Sequence, residues 1–473
     1  MSAGAPLGAD ATARRFLLLT ATRWLPVGLT FGMTVLLPAE RGIPLGELGL
    51  ILAAQGVVTL LLEVPTGSVA DTWGRRPLLV VAGTIALAAT VLFVVASSLW
   101  LFALASALQG VYRALDSGPL ESWYVDTAQA AAPGVAIERT LSRAGTVLGC
   151  AIAGGAVVGG SLVAWDPVGH VSALVLPFVV SAALIALHTA LTAALVREPR
   201  RGSRAGASGD VPDGAGLSSG PGGGAAPGRE GDGAGGGAAG DGRAGGSVAP
   251  APTGWRALLR TTASGLGLLR GSKVLRGLVL VEVFWALAMI GFETLAPLRL
   301  SDLLGSEAAA AALFAPASGA AWALFAVGSW LAGLAGARWG VATGAMIARV
   351  VNGVFVALMA LNAGVVGLLA AYGLAYLSHG GAGPLHSTLL HRCASSENRS
   401  VVLSLNSMIA SGTYSVALLV VLPAAQDWGT GPALVGLGVL STLGALFYLP
   451  ARRAEREAAL AVRAPALQSA GGA

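Results

Sequence analysis

The chain has 473 residues, of which 55% are hydrophobic and 11% charged, with a net charge of +5. A water-soluble domain carries about 25% charged residues, so this composition excludes a globule of this size in water. Lipid is the consistent solvent, because helices satisfy their own backbone polar groups there. The basic residues sit between apolar blocks, as loop charges do, and nucleic acid is not an expected partner.

Residues 1–15 are small and polar and read as a cytoplasmic N-terminal tail. The stretch that follows, Phe16 to Leu37, is nearly all apolar. It lacks the small-residue cleavage site of a signal peptide and reads as a retained span. A span needs about 20 apolar residues to cross about 30 Å of hydrocarbon. Blocks of that kind lie at 16–38, 46–66, 77–96, 99–120, 140–164 and 170–195, predicting an N-terminal six-helix bundle over 16–197. Residues 198–253 are rich in Gly, Ala, Pro, Asp and Arg, too poor in apolar surface to offset chain entropy, and read as a disordered cytoplasmic linker. Over 254–272, Trp255, Leu258, Leu259, Leu266 and Leu269 alternate with Arg256, Arg260 and Arg270. That pattern is either a helix lying in the membrane interface or plain linker.

A second set of blocks lies at 275–297, 309–335, 341–362, 364–387, 401–423 and 430–449, predicting a C-terminal bundle over 273–450 and a cytoplasmic tail over 451–473. The expected fold is therefore an all-α membrane protein of twelve transmembrane helices in two six-helix pseudo-repeats. If the spans alternate, Arg14, Arg15, Arg75, Arg76, Arg139, Arg143, Arg338, Arg392, Arg399, Arg452 and Arg453 share one side. The positive-inside rule then places both termini in the cytoplasm. Two matches support duplication. Gly118-Pro119-Leu120 returns as Gly383-Pro384-Leu385, and Gly67…Trp73-Gly74 returns as Gly333…Trp339-Gly340, at offsets of 265 and 266 residues. Parallel six-span repeats with a site between them near midplane are a known transporter design.

The loop between the second and third spans carries Gly67, Asp71, Gly74, Arg75 and Arg76. In spacing and position this resembles the Gly-x-x-x-Asp-x-x-Gly-Arg-Arg signature of the major facilitator superfamily. The resemblance covers roughly 16–450 outside the linker. Glu63-Val-Pro-Thr-Gly67 before the loop, and Glu121-Ser-Trp-Tyr-Val-Asp126 after the fourth span, look like a bacterial efflux-type branch. Ser106 stands where the family's fourth-span Arg is expected before Gln109-Gly110, and the fifth-span glycines lack the usual Gly-Pro. In the second half, Ala337 replaces the motif's Asp.

The resemblance implies a transporter of the cytoplasmic membrane that works by alternating access. It favours proton-coupled efflux of a small organic molecule, with uptake as the alternative. In another class, the chain is a non-transporting receptor or scaffold of the same fold. The expected partners are the lipid bilayer, a small-molecule substrate and protons, and the expected state is a monomer. It also implies a cytoplasmic gate. Asp71 would accept hydrogen bonds from the start of the eleventh span, near Ser400, and Arg75 would meet Asp126 or Asp116. The plain alternative is that Arg75 and Arg76 only set topology.

Ionisable residues inside spans are costly and mark function by default. Arg23 and Glu63 lie at equal depth, about 12 Å from the cytoplasmic face at 1.5 Å per residue. They read either as a structural pair or as a proton site at Glu63. Arg113 and Asp116 form an i,i+3 pair. Glu282 has no visible partner and is the stronger proton-site candidate. Glu293 reads as an external salt bridge with Arg299. Trp24, Phe284, Trp285, Arg349, Asn352 and His379 are candidates for the substrate cavity, or for simple packing. Cys150 and Cys393 give no metal spacing, and no nucleotide-binding Gly-Lys-Ser/Thr motif is present. No cofactor, metal or enzymatic activity is expected.

Overall fold

The computed structural model describes residues 8–132, 135, 137–169, 171–197, 267–361, 364–394 and 399–470. Within the helices, the side chains of 63–72, 138, 142, 399–400 and 462–470 are outside that description. So are the expected linker, 198–253, and most of the expected interfacial helix, 254–266.

The described residues are helical and contain no strand. Among them, eleven helices are long and apolar enough to cross a bilayer. The remaining position, fourth in chain order, is filled by Leu99–Asp116, an 18-residue helix whose apolar run is interrupted by Ser106, Gln109, Arg113 and Asp116. The first span is Ala9–Leu29 continued by Met33–Glu40, and the second and third are Leu45–Trp73 and Arg75–Val95. The fourth resumes after its break as Pro119–Ala131, and the fifth and sixth are Glu138–Trp165 and Val175–Leu195. The seventh is Lys273–Met289, a π-helical segment Ile290–Leu295, and Ala296–Leu304. The eighth to eleventh are Glu307–Trp339, Val341–Leu361, Val365–Cys393 and Arg399–Trp428. The twelfth runs through Thr430–Gly444, a 3-10 turn, and Leu449–Ala470. Helix thus begins at Ala9, inside the expected N-terminal tail, and continues through most of the expected C-terminal one.

The duplication is visible in the packing. The first span packs on the fifth and sixth, the second on the fourth, and the third on the fourth and sixth. The second half repeats this order: seventh on eleventh and twelfth, eighth on tenth, ninth on tenth and twelfth. The halves meet along two equivalent seams, second on eleventh and fifth on eighth. The two sequence matches differ in what they share. Gly74 and Gly340 both turn between helices with nearly the same backbone, φ/ψ of 92/159° and 85/153°, a region that disfavours any residue with a Cβ. Gly118 breaks its span at φ +107°, whereas Gly383 lies inside an unbroken helix.

Close approach at small residues replaces hydrophobic driving force between helices in lipid. Gly353 of the ninth span faces the Gly438 carbonyl of the twelfth with no room for a Cβ. Between the halves, Gly49 abuts Leu418, Gly160 abuts Pro316, and Gly32 abuts Phe314, whose ring stacks 6.5 Å from Phe31. The Gly46 N–H donates to Gln426 Oε1 at 2.8 Å. These contacts lie in the half of the bundle away from the chain's termini or near its middle.

Core composition follows the same division. One core joins both halves at the end of the bundle away from the chain's termini, including Leu36, Leu48, Phe102, Phe292, Phe314 and Leu418. At the end that carries the termini the cores are separate: Phe16, Leu19, Trp123 and Tyr124 in one half, and Leu275, Leu278, Leu385 and Tyr448 in the other. We expect Gly353→Leu to destabilise the detergent-solubilised protein by about 1–3 kcal/mol through overpacking. Gly145→Ala, whose Cβ meets nothing within 4 Å, should leave the thermal unfolding midpoint unchanged.

Candidate functional site

At the loop between the second and third spans, Gly74 turns the chain so that Arg75 opens the third span. Arg75 Nη1 lies 2.7 Å from Asp126 Oδ2 and donates to the Ser122 carbonyl at 2.7 Å. Of the two expected partners the structure selects Asp126, because Asp116 is engaged deeper in the bundle. The side chain of Asp71, the surroundings of Gly67, and the side chains of Arg399 and Ser400 at the start of the eleventh span that Asp71 is expected to meet lie outside the described residues. Arg76 begins the same helix. In the second half, where Ala337 replaces the motif's Asp, an acid arrives from elsewhere. Glu455, on the last helix, accepts the N–H groups of Val341 and Ala342, each at 3.0 Å, and the Arg392 guanidinium at 2.8 Å. A carboxylate at the first turn of the ninth span satisfies orphan N–H groups and complements the helix dipole.

Inside the N-terminal half, Arg23 pairs with Asp116; the side chain of Glu63, its expected partner, lies outside the described residues. Asp116 closes the first helix of the fourth span, and its carbonyl accepts from the Gly118 N–H at 3.0 Å and from Arg23 Nη2 at 3.3 Å. A guanidinium at a helix C-terminus is also favoured by the dipole. That combination explains why Asp116 takes Arg23 rather than its neighbour Arg113. The Arg23 guanidinium lies 5.1 Å from the Trp24 ring centroid, which occupies Trp24 in cation–π packing.

The C-terminal half holds a second buried cluster. Glu282 is 4% exposed, and its Oε1 lies 2.9 Å from His386 Nε2 and 4.0 Å from Arg349 Nη2. His386 Nδ1 meets the Tyr448 hydroxyl at 2.8 Å, and Asn406 Oδ1 stands 3.4 Å from Nε2. Glu282 is therefore partnered, which corrects the sequence expectation. The partners come from the ninth and tenth spans, 67 or more positions away in the chain, so no local spacing reveals them. His386 follows Gly383-Pro384-Leu385 as Glu121 follows Gly118-Pro119-Leu120. That repeat position is the one signal that marks it.

Arg349 also stacks over Trp285 at 5.2 Å, and Trp285 Nε1 donates to His379 Nδ1 at 3.1 Å. Asn352 is fully buried and donates to the Ala375 carbonyl at 2.9 Å, bridging the ninth and tenth spans. Phe284 does not belong with this group. It packs against Gly444 and stacks on Phe447 at 5.3 Å, toward the twelfth span and not a central cavity.

Glu293 departs furthest from expectation. It sits in the π-helical segment of the seventh span, and the Tyr376 hydroxyl donates to its Oε1 at 3.4 Å. The extra residue of a π-turn rotates Glu293 inward, away from Arg299, which lines an outer groove with Asp302 and Thr430. Such bulges recur at functional sites.

The described residues contain no group of His, Cys, Asp and Glu able to hold a metal. A family model described as Major Facilitator Superfamily matches residues 16–348. Among curated protein sequences none matches significantly. In structure the chain is similar to the nucleoside transporter NupG, at 12% identity and a TM-score of 0.69, covering 93% of this chain and 98% of that one. A mutant of the same transporter gives a TM-score of 0.70 at 12% identity, covering 93% and 99%. The human organic anion transporter MFSD10 (TETRAN) gives 0.52 at 16% identity, covering 92% and 99%. At these identities the likeness establishes the fold.

The two ion pairs differ in burial, so they should differ in weight. Asp116→Asn strands Arg23 and should cost about 1–3 kcal/mol, partly relieved by adding Arg23→Gln. Arg75→Gln acts on a pair whose side chains are 24% and 42% exposed, and should cost under about 1 kcal/mol. Thermal unfolding in detergent checks both.

Proposed function

The chain belongs to the Major Facilitator Superfamily and is a membrane transporter, and we propose that it exports a small organic molecule across the cytoplasmic membrane by alternating access, in exchange for protons. The observation that supports alternating access is the division of the core. The halves share apolar packing at the end away from the chain's termini and keep separate cores at the end that carries them. Such packing can exchange for its converse by rocking one half on the other about the two inter-half seams.

In this reading the cytoplasmic gate is made of Gly67, Asp71, Gly74, Arg75, Arg76 and Asp126. The Arg75–Asp126 pair ties the loop to the fourth span, which leaves Asp71 as the group that engages the opposite half when the inner side closes. The protein acts as a monomer with both termini in the cytoplasm.

The proton step is assigned to Glu282 and His386. With Nε2–H donated to Glu282, His386 Nδ1 accepts from the Tyr448 hydroxyl. A proton added at Nδ1 makes the ring a donor on both sides, so Tyr448 must reverse and accept. The cluster then gains a positive charge beside Arg349, which repels it. That change acts at the contact of the seventh, ninth, tenth and twelfth spans, where a shift of the tenth span relieves the repulsion. The efflux direction is favoured by the stretches Glu63 to Gly67 and Glu121 to Asp126, which look like those of export-type relatives.

A susceptibility screen of a deletion strain identifies a transported compound. Adding it to energised inverted vesicles should dissipate the pH gradient, and Glu282→Gln or His386→Gln should abolish that response. Transport that persists with the gradient collapsed removes the coupling, uptake-only flux reverses the direction, and ligand binding without flux favours a receptor. Separately, Asp71→Asn should cripple transport with membrane insertion intact. Normal transport in that variant removes the gate.

A further inference from the structure

A groove of about 340 Å³ lies between the ninth span and the last helix, lined by Thr343, Met346, Ile347, Val350, Val351 and Arg452. From Thr343 to Val351 it follows the ninth span for about 12 Å, at 1.5 Å per residue. It begins within the first turn of that span. Its apolar wall opens outward: Ile347 is 41% exposed and Val351 37%. On a membrane span such side chains meet lipid.

Arg452 is the one charge among the described lining residues. It is partly buried, and its Nε is shut off from solvent without a hydrogen-bond partner. Among the described residues it forms no ion pair. The nearest acid on its own helix, Glu455, is already engaged. It accepts the Val341 and Ala342 N–H groups and the Arg392 guanidinium. Those contacts also cap the start of the ninth span, so the group that attracts an anion here is the Arg452 side chain and not the helix end.

Glu455 meets the first residues of the ninth span. Arg452 precedes it by three residues, so it lies about 4.5 Å deeper in the bundle. An unpaired guanidinium at that depth is costly, and the protein offers it no counter-charge. The bilayer offers lipid phosphate, which a guanidinium binds through two oxygens. The described lining contains no acid to receive a headgroup ammonium, and Arg453 and Arg456 are exposed on the same helix. This balance favours a headgroup with net negative charge, and basic pockets between membrane helices hold such headgroups.

We propose that this groove binds one anionic phospholipid, with its phosphate on Arg452 and an acyl chain along Ile347, Val350 and Val351. Bound there, the lipid fastens the last helix to the ninth span beside the Glu455 contacts. The site is independent of the direction and the coupling of transport.

The test titrates the full chain in non-ionic detergent with three probes. They are phosphatidylglycerol, phosphatidylcholine with the same acyl chains, and glycerol phosphate, which carries the anion without the chains. Ligand binding raises the thermal unfolding midpoint by mass action. Phosphatidylglycerol should raise it saturably, and the other two should not. Arg452→Gln should move the half-maximal lipid fraction upward about tenfold. Val351→Trp, which fills the groove and keeps the charge, should move it in the same direction, so either variant locates the site where the other fails to fold. Arg453→Gln removes an equal charge one residue away and should titrate as wild type. An equal rise with phosphatidylcholine makes the groove a general lipid contact. An equal rise with glycerol phosphate makes it a free-anion site, and an equal loss in Arg453→Gln makes the effect diffuse surface charge. Each of these overturns the proposal, as does no rise with phosphatidylglycerol or wild-type titration of Arg452→Gln.

Discussion

Hydrocarbon offers no hydrogen-bond partner and little dielectric relief, so each charge inside this bundle must find its counter-group on another helix. That constraint organises the interior. Arg23 spans from the first helix to the end of the first helix of the fourth span, where both the carboxylate and the carbonyl of Asp116 receive it. Glu282 spans from the seventh to the tenth, where His386 receives it and passes the contact on to Tyr448 of the twelfth. The two clusters join corresponding spans of the two halves, first to fourth and seventh to tenth, through residues that are not repeat counterparts. The duplicated architecture has kept a polar contact between these spans and changed its position and chemistry. One pair is a permanent cation with a carboxylate. The other contains an imidazole, the side chain whose charge is most readily changed.

The same constraint explains why charge sits where movement is needed. Apolar packing in lipid does not strongly favour one helix arrangement over another, since lipid tails are as apolar as leucine. The seams between the halves are therefore held by small residues and shape, as at Gly49 and Gly160. Polar clasps hold the turns at the end of the bundle that carries the chain's termini. Arg75 with Asp126 holds the loop of the first half, and Glu455 with Arg392 and two backbone N–H groups holds the corresponding turn of the second. The second clasp shows how a motif that has lost its acid retains its geometry: Gly340 keeps the backbone of Gly74, and the last helix supplies the carboxylate.

What was legible in the sequence is what one helix, or one short loop, decides alone. Span length and apolarity follow from bilayer thickness, residue by residue. The turn at Gly74 follows from a backbone shape that excludes a Cβ. The duplication follows from matched loops at a constant offset. The helical membrane architecture, its orientation signal and the family motif are all properties of this local kind.

The partners of the charges were not legible, because they are set by which faces of distant helices meet. Glu282 read as solitary, since His386 and Arg349 are remote in the chain. The contact of Arg23 with Asp116 was not visible either, because it depends on the break at Gly118 that ends a helix beside it. Glu293 read as outward-facing on regular helical spacing. A single π-helical segment turns it inward, and no residue pattern in Ile290–Leu295 announces that segment. The sequence by itself determined that this chain crosses a membrane as two related helical halves. Only the tertiary structure decided which buried charges neutralise one another, because in lipid those pairings depend on helix rotation and depth, quantities that packing sets and composition does not.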